Sequence, residues 1–173
     1  TAIAMLDQES RRMQNLVDTL LDMSRATDDH VNPPTVVQIA PVLQDIVTAF
    51  EIDTKRHVIT TLTDFSVHLR VNEFAQLVRI ILDNAAKYSA AASPIVVTSA
   101  LNQVIIKDVG QGISAADKTR VFDRFYRGDD SRSETPGNGL GLALAQQLAA
   151  RQNISIALSD NQPVGTVVTL TFL

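Results

Sequence analysis

Pro33 and Pro34 stand back to back, and no helix can run through them. Each fixes its own φ and lacks an N–H, and each pushes the preceding residue toward extended geometry. With Asp28, Asp29, His30, Val31 and Asn32 ahead of them, they cut the chain into two parts of different character. Residues 2–26 read as one helix without Gly or Pro. Leu6, Met13 and Leu20 recur at intervals of seven, Ile3, Val17 and Ser24 fall on the neighbouring line, and Leu16 and Leu21 widen the stripe. Glu9, Arg11 and Arg12 face away. Heptad-like spacing suits packing against other helices, although a helix folded onto its own domain carries the same stripe. The boundary is placed at the break, giving a helical segment over 1–30 and a domain over 31–173.

Beyond the prolines the periodicity alternates. Thr35–Ile39, His57–Leu62, Ser66–Leu69, Pro94–Ala100, Val104–Asp108, Ile154–Leu158 and Thr166–Phe172 read as strands. Pro41 can open a helix whose inner face holds Val42, Ile46, Val47 and Phe50. Asn72 is expected to cap a second helix running to Tyr88, with Phe74, Leu77, Val78, Ile81 and Leu82 inward. Leu140–Gln152 is a third. Strands and helices mix without strict alternation, which predicts an α+β fold with a mixed sheet and helices on one face.

Bulk properties narrow the function classes. The 173 residues suffice for one ordinary domain and a small appendage. A net charge of −4 disfavours nucleic acid as a partner. The absence of cysteine removes disulfides and thiolate metal sites. No apolar run approaches the roughly 20 residues that span a bilayer. Because the chain opens inside a helical pattern, a fragment of a longer protein is expected.

Four stretches carry chemistry. In Asp83-Asn84-Ala85-Ala86-Lys87-Tyr88-Ser89, helical spacing puts Asn84, Lys87 and Tyr88 on one face. An amide oxygen is a neutral hard ligand suited to Mg²⁺, and a Lys one turn on can meet phosphate as a point charge. In Asp108-Val109-Gly110-Gln111-Gly112-Ile113, a strand ends in an Asp that can accept from an exocyclic amino group, then reaches two glycines. Val121-Phe122-Asp123-Arg124-Phe125-Tyr126-Arg127-Gly128 concentrates aromatics in a chain that is only 5% aromatic. In Gly137-Asn138-Gly139-Leu140-Gly141-Leu142-Ala143-Leu144, glycines give way to a helix whose free backbone amides suit an anion. That last stretch matches neither the Gly-Lys-Ser/Thr phosphate loop nor the dinucleotide fingerprint. Taken singly, each stretch also fits a solvated helix end, a plain turn or a hydrophobic plug. Asp129–Pro136, rich in Ser, Asp, Thr and Glu, reads as a lid or as an idle surface loop.

Their order carries more than any one of them. The four resemble the N box, first glycine box, F box and second glycine box of bacterial sensor histidine kinases. Residues 2–26, with Arg12-Met13 and Leu20–Arg25, resemble the second helix of the kinase dimerisation hairpin. The resemblance implies the two-layer α/β sandwich shared with gyrase, Hsp90 and MutL, preceded by a long dimerisation-type helix. The F box separates this chain from those relatives. It implies ATP and Mg²⁺ as cofactors, with Asn84 on the metal and Lys87, Arg127 and Arg132 on phosphate. By the same resemblance, Tyr88 would pack near the ribose or phosphates, and Asp108 would take the adenine amino group with Gly112 beside the ring. Gly110 and Ile113 complete the first box, and Gly137, Gly139, Leu140, Gly141 and Leu142 form the phosphate-binding second box. Thr166 resembles the hydroxyl that shares a water with adenine. Asn84, Lys87 and Arg127 are the catalytic candidates. The resemblance also implies transfer of the γ-phosphoryl group to a His and then to an Asp of a response-regulator receiver domain. It further implies a homodimer through the dimerisation helices, and a cytoplasmic placement within a protein anchored in the bacterial membrane.

Two departures stand out. Ile80 occupies a position where such kinases often carry a second Asn, which puts a two-Asn magnesium site in doubt and leaves a nucleotide-binding regulatory module as the alternative. His30, His57 and His68 do not sit in the His-Glu/Asp-x-x-Thr/Asn-Pro acceptor pattern. The phosphoacceptor is therefore expected ahead of Thr1, and the chain alone is not expected to autophosphorylate.

Overall fold

A computed structural model of the protein describes residues 33–128 and 138–173. It also describes Ser10, Met13, Gln14, Val17, Asp18, Leu20 and Leu21, which are helical and exposed. The remainder of the helix expected over 2–26, the break over 28–32 with His30, the candidate lid over 129–136, and the site candidates Arg132 and Gly137 lie outside the described residues.

Strand β1 (Thr35–Gln38) leads straight into helix α1 (Ile39–Thr54). Ile39, Leu43, Val47 and Phe50 are its buried residues, a helical stripe three and four apart. Pro41 sits in the first turn, where its missing N–H breaks no intrahelical bond. The orphan amides beside it are met from across the domain. The Ile39 N–H donates to the Phe65 carbonyl at 3.0 Å and the Ala40 N–H to Asp64 Oδ1 at 3.0 Å. Strands β2 (Val58–Leu62) and β3 (Ser66–Leu69) follow, β3 pairing antiparallel with β1 in a small two-stranded sheet.

Helix α2 (Val71–Tyr88) is the longest described element and buries Phe74, Leu77, Val78, Ile81, Leu82 and Ala85. Its start corrects the expectation for Asn72. The cap position is Arg70, in extended geometry and without a side-chain cap bond, and Asn72 is exposed inside the first turn. Tertiary contacts replace the cap. The Arg70 N–H donates to Gln152 Oε1 at 2.9 Å, and Glu73 pairs with the Arg151 guanidinium at 3.1 and 3.3 Å. Glu73 also complements the positive end of the helix dipole.

Strands β4 (Ile95–Ala100) and β5 (Gln103–Lys107), short helix α3 (Ala115–Lys118), helix α4 (Gly141–Ala150) and strands β6 (Ile154–Asp160) and β7 (Thr166–Phe172) complete the described elements. The main sheet has the order β2-β4-β5-β7-β6, with β2 and β4 parallel and the other neighbours antiparallel. Alternate residues of its inner strands are buried, among them Ile95 and Val97, Val104 and Ile106, and Val168 and Leu170. They form one core with the buried faces of α1, α2 and α4, and Phe74 meets Phe172 at 5.8 Å between ring centres. The expected mixed sheet with helices on one face is thus what the residues build. Ile80 joins this packing as a half-buried apolar side chain.

Candidate functional site

The C-terminal half of α2, the end of β5, α3, the 121–128 segment, the start of α4 and the β6–β7 hairpin enclose a cavity of about 880 Å³. Eleven of the residues singled out from sequence line it: Asn84, Lys87 and Tyr88 from α2, Asp108, Gly112 and Ile113 after β5, Arg127, Gly139, Gly141 and Leu142 around the α4 N-terminus, and Thr166 opening β7. Stretches separated along the chain therefore meet in one space.

Asp108 lies on the inner wall and is 7% exposed. Its Oδ1 accepts from the Gly110 N–H at 2.8 Å and from the Thr166 N–H at 3.2 Å. Burial pushes its carboxyl pKa above the usual Asp value, and these two backbone donors pull the other way without cancelling the shift. With both donors on Oδ1, Oδ2 is the oxygen left to a ligand. A carboxylate so placed accepts hydrogen bonds and cannot donate one.

Another part of the lining carries groups that suit an anion. Gly141 and Leu142 belong to the first turn of α4, whose N–H groups have no intrahelical acceptor. No acidic side chain occupies that turn. Gly139 makes the entry possible. Its φ is +68°, and a Cβ there would lie 2.6 Å from the Tyr126 carbonyl. The Phe125 N–H closes the contact by donating to the Gly139 carbonyl at 2.8 Å. Lys87, whose Nζ sits 4.9 Å from the centre of the Tyr88 ring, and Arg127 add cationic groups to the lining.

Two candidates fall outside the lining. Leu140 is 1% exposed and packs in the core, while its carbonyl accepts from the Leu144 N–H at 3.0 Å. Gly110 turns its N–H back to Asp108 and bridges antiparallel to Ser89. Ile80 also stays off the wall; its Cγ2 lies 3.5 Å from where a Gly141 Cβ would stand.

Several organising residues were not expected. Asp117 accepts from the Tyr126 hydroxyl through Oδ1 and from the Ser114 hydroxyl at 2.8 Å through Oδ2. Those bonds, the Tyr126 contact foremost, hold its pKa below the ordinary Asp range. The Arg120 guanidinium carbon lies over the Tyr126 ring, 4.3 Å from its centre. The signal was present, because Ser114-Ala115-Ala116-Asp117 has the spacing of a helix-start capping box, and the Ser114 hydroxyl accepts from the Asp117 N–H at 3.1 Å. Arg56, 9% exposed, donates to the Ala90 carbonyl at 2.8 Å, Ser89 Oγ at 2.7 Å and the Ser93 carbonyl at 3.2 Å, and so braces the end of α2. No local pattern marks it.

Comparison with known proteins identifies the family. Residues 70–173 match the family described as histidine kinase-, DNA gyrase B-, and HSP90-like ATPase. The sensor histidine kinase WalK of Bacillus subtilis (strain 168) is 31% identical over 175 residues, covering 94% of this chain. The sensor protein CiaH of Streptococcus pneumoniae serotype 4 is 31% identical over 175 residues, covering 96% of this chain. The chain spans 29% of the length of the first and 39% of the second. Among solved structures, the mycobacterial sensor histidine kinase MprB superimposes with a TM-score of 0.70 at 25% identity, covering 80% of this chain and 96% of that one.

Proposed function

This chain belongs to the family of histidine kinase-, DNA gyrase B- and HSP90-like ATPases, and on that premise we propose that it is the ATP-binding, catalytic part of a sensor histidine kinase. The observation that carries the proposal is the polarity of the cavity. An acceptor carboxylate, Asp108, stands on one wall, and a helix N-terminus with Lys87 and Arg127 provides for anions elsewhere. A ligand with an amino-bearing base and a phosphate chain matches both ends. WalK and MprB, both named sensor histidine kinases, support the choice of kinase over a clamp-type ATPase.

Each residue then has a task. Asp108 Oδ2 accepts from the adenine amino group, with Gly112, Ile113 and Thr166 around the base. Tyr88 packs near the ribose or phosphates. Lys87 and Arg127 bind phosphate oxygens, and the backbone amides of Gly141 and Leu142 meet them from the α4 N-terminus. A magnesium ion fits the donor set. Asn84 brings a neutral oxygen, and Mg²⁺ takes its other ligands from phosphates and water, so a carboxylate cage is unnecessary. Among the described residues no cluster of three or more His, Cys, Asp or Glu is placed for a metal. When bound, the ion neutralises charge on the phosphates. Catalysis by such a site rests on positioning and charge stabilisation rather than on a covalent step.

The γ-phosphoryl acceptor is a His on a segment outside this sequence, since none of the three His present has the acceptor pattern. From there the group passes to an Asp of a response-regulator receiver domain. The whole protein is a membrane-anchored homodimer joined through its dimerisation helices, with this part in the cytoplasm. The net charge of −4 disfavours nucleic acid as a partner. Among the described residues no helix is long and apolar enough to cross a membrane.

Calorimetry with ATP and magnesium, followed by mixing with a separately supplied acceptor-helix dimer, tests the reading. Binding is expected in the first step and an acid-labile phosphate on the supplied His in the second. Absence of ATP binding would overturn the proposal, and binding without transfer would convert it to a regulatory nucleotide module.

A further inference from the structure

Asp108 is held by a residue that the ATP reading leaves without a task. Strand β5 ends at Lys107, and the Asp108 N–H extends its ladder by one more bond, to the Thr166 carbonyl at 3.0 Å. After that the chain leaves the sheet, and the direction of the 108–109 peptide is no longer set by strand pairing. Asn161 sets it. Its Nδ2 donates to the Asp108 carbonyl at 2.8 Å. The amide cannot turn over without loss, because Asn161 Oδ1 accepts from the Gln162 N–H at 3.0 Å. The Asn161 N–H in turn donates to the Gly165 carbonyl at 3.0 Å, which closes the 161–165 loop. Gly165 fits that closure with a φ of +117°, and a Cβ there would lie 2.1 Å from the Asp108 carbonyl oxygen.

The consequence reaches the carboxylate. A turn about the Asp108 Cα–C bond, which the Asn161 bond to the carbonyl resists, would carry Val109 and the Gly110 N–H away from Asp108 Oδ1, where it now rests at 2.8 Å. Asn161 therefore holds the peptide that holds the donor that orients the carboxylate. We infer that Asn161 is a positioning residue that sets selectivity for a purine bearing a 6-amino group, acting through Asp108 rather than by contact with that group. The inference rests on the ATP reading of the same site.

The experiment compares three ligands, ATP, purine riboside triphosphate (which lacks the 6-amino group) and adenosine. Their affinities are measured by calorimetry on the wild-type chain and on Asn161→Asp, which keeps the size but turns the donor into an acceptor facing a carbonyl. Asn161→Ser is the second variant should Asn161→Asp fail to fold. The wild type is expected to prefer ATP over the 6-H analogue by about tenfold, the scale of one buried hydrogen bond. In the variant that preference collapses toward unity, while the ratio of ATP to adenosine affinity is retained. A variant that keeps the 6-amino preference, or loses affinity for all three ligands by a common factor, overturns the inference and leaves the ATP reading standing. A wild type without the preference overturns the Asp108 assignment, and the inference falls with it.

Discussion

Asp108 and Thr166 are joined twice, by the Asp108 N–H to the Thr166 carbonyl at 3.0 Å and by the Thr166 N–H to Asp108 Oδ1 at 3.2 Å. The first bond is a sheet bond and the second is a site bond. One residue of β7 thus continues the ladder with the chain leaving β5 and aims the side chain on which the proposed base recognition depends. This end of the site is an extension of the sheet.

Asp108→Asn is expected to bind ATP more weakly by about 1–3 kcal/mol, the cost of losing one partner in a buried polar contact. The amide oxygen can still accept from Gly110 and Thr166, which turns the amide NH₂ toward the amino group of the base, donor against donor. Calorimetry measures the loss. Undiminished affinity would count against Asp108 as the base acceptor.

The raised pKa of Asp108 makes two pH predictions of defined sign. Binding needs the ionised acceptor, so ATP affinity should fall as pH drops through a range above the ordinary Asp value of about 3.9. Comparison with Asp108→Asn, which lacks that titration, isolates the step. Stability runs the other way. A carboxyl whose folded pKa is raised favours folding most below the unfolded pKa and loses that contribution as pH rises through the folded one. Unfolding midpoints of wild type and Asp108→Asn should therefore shift in the variant's favour between those limits. A pH-independent difference would show that Asp108 titrates normally.

Periodicity made α1, α2, α4 and the strands legible, since each buries one face. The four chemical stretches could be read because each is local, and the fold brings them to one cavity. What resisted reading is long-range. Asn161 reaches Asp108 across 53 positions and Arg56 reaches the α2 end across 33 to 37, and no local pattern encodes either contact. Asn72 shows the converse. Its residue type suits a cap, but Gln152 and Arg151 supply the helix start from elsewhere and allow α2 to begin earlier. Leu140 and Gly110 sit within motifs, yet packing turns one into the core and the other back upon Asp108.

Gly165→Ala should damage fold and site together. The φ of +117° alone costs a non-glycine residue on the order of 1–3 kcal/mol. The added Cβ would also meet the Asp108 carbonyl oxygen at 2.1 Å, a backbone atom that cannot step aside. A lowered denaturant midpoint and lost ATP binding are expected, and a variant with wild-type stability would contradict the local geometry.

Tyr126→Phe removes the hydroxyl that Asp117 accepts while keeping the ring beneath Arg120. The hydroxyl ties to Asp117 the segment whose Tyr126 carbonyl lies against Gly139, so its loss should loosen the approach to the α4 N-terminus. ATP affinity is expected to fall while adenosine affinity holds, since in the proposed binding mode only the phosphates use that end. NMR titration of Asp117 should show its pKa returning toward the ordinary value, because the Tyr126 bond is the largest cause of its depression. An unchanged Asp117 titration would show that the bond does not form in solution.

Arg56→Met tests the brace under α2. The guanidinium serves two carbonyls and the Ser89 hydroxyl, and Ser89 in turn donates to the Ala85 carbonyl at 2.6 Å and bridges to Gly110. Met fills similar space with no donors, leaving those part-buried acceptors short of partners. One such bond to a charged donor contributes about 1.5–3 kcal/mol, so chemical denaturation should show a loss of that order. Because Ser89 directly follows Lys87 and Tyr88, hydrogen exchange should rise at the end of α2 before it rises in β5 or β7. A stability loss with uniform exchange across the domain would mean that Arg56 supports the fold generally and has no special hold on that end of the site.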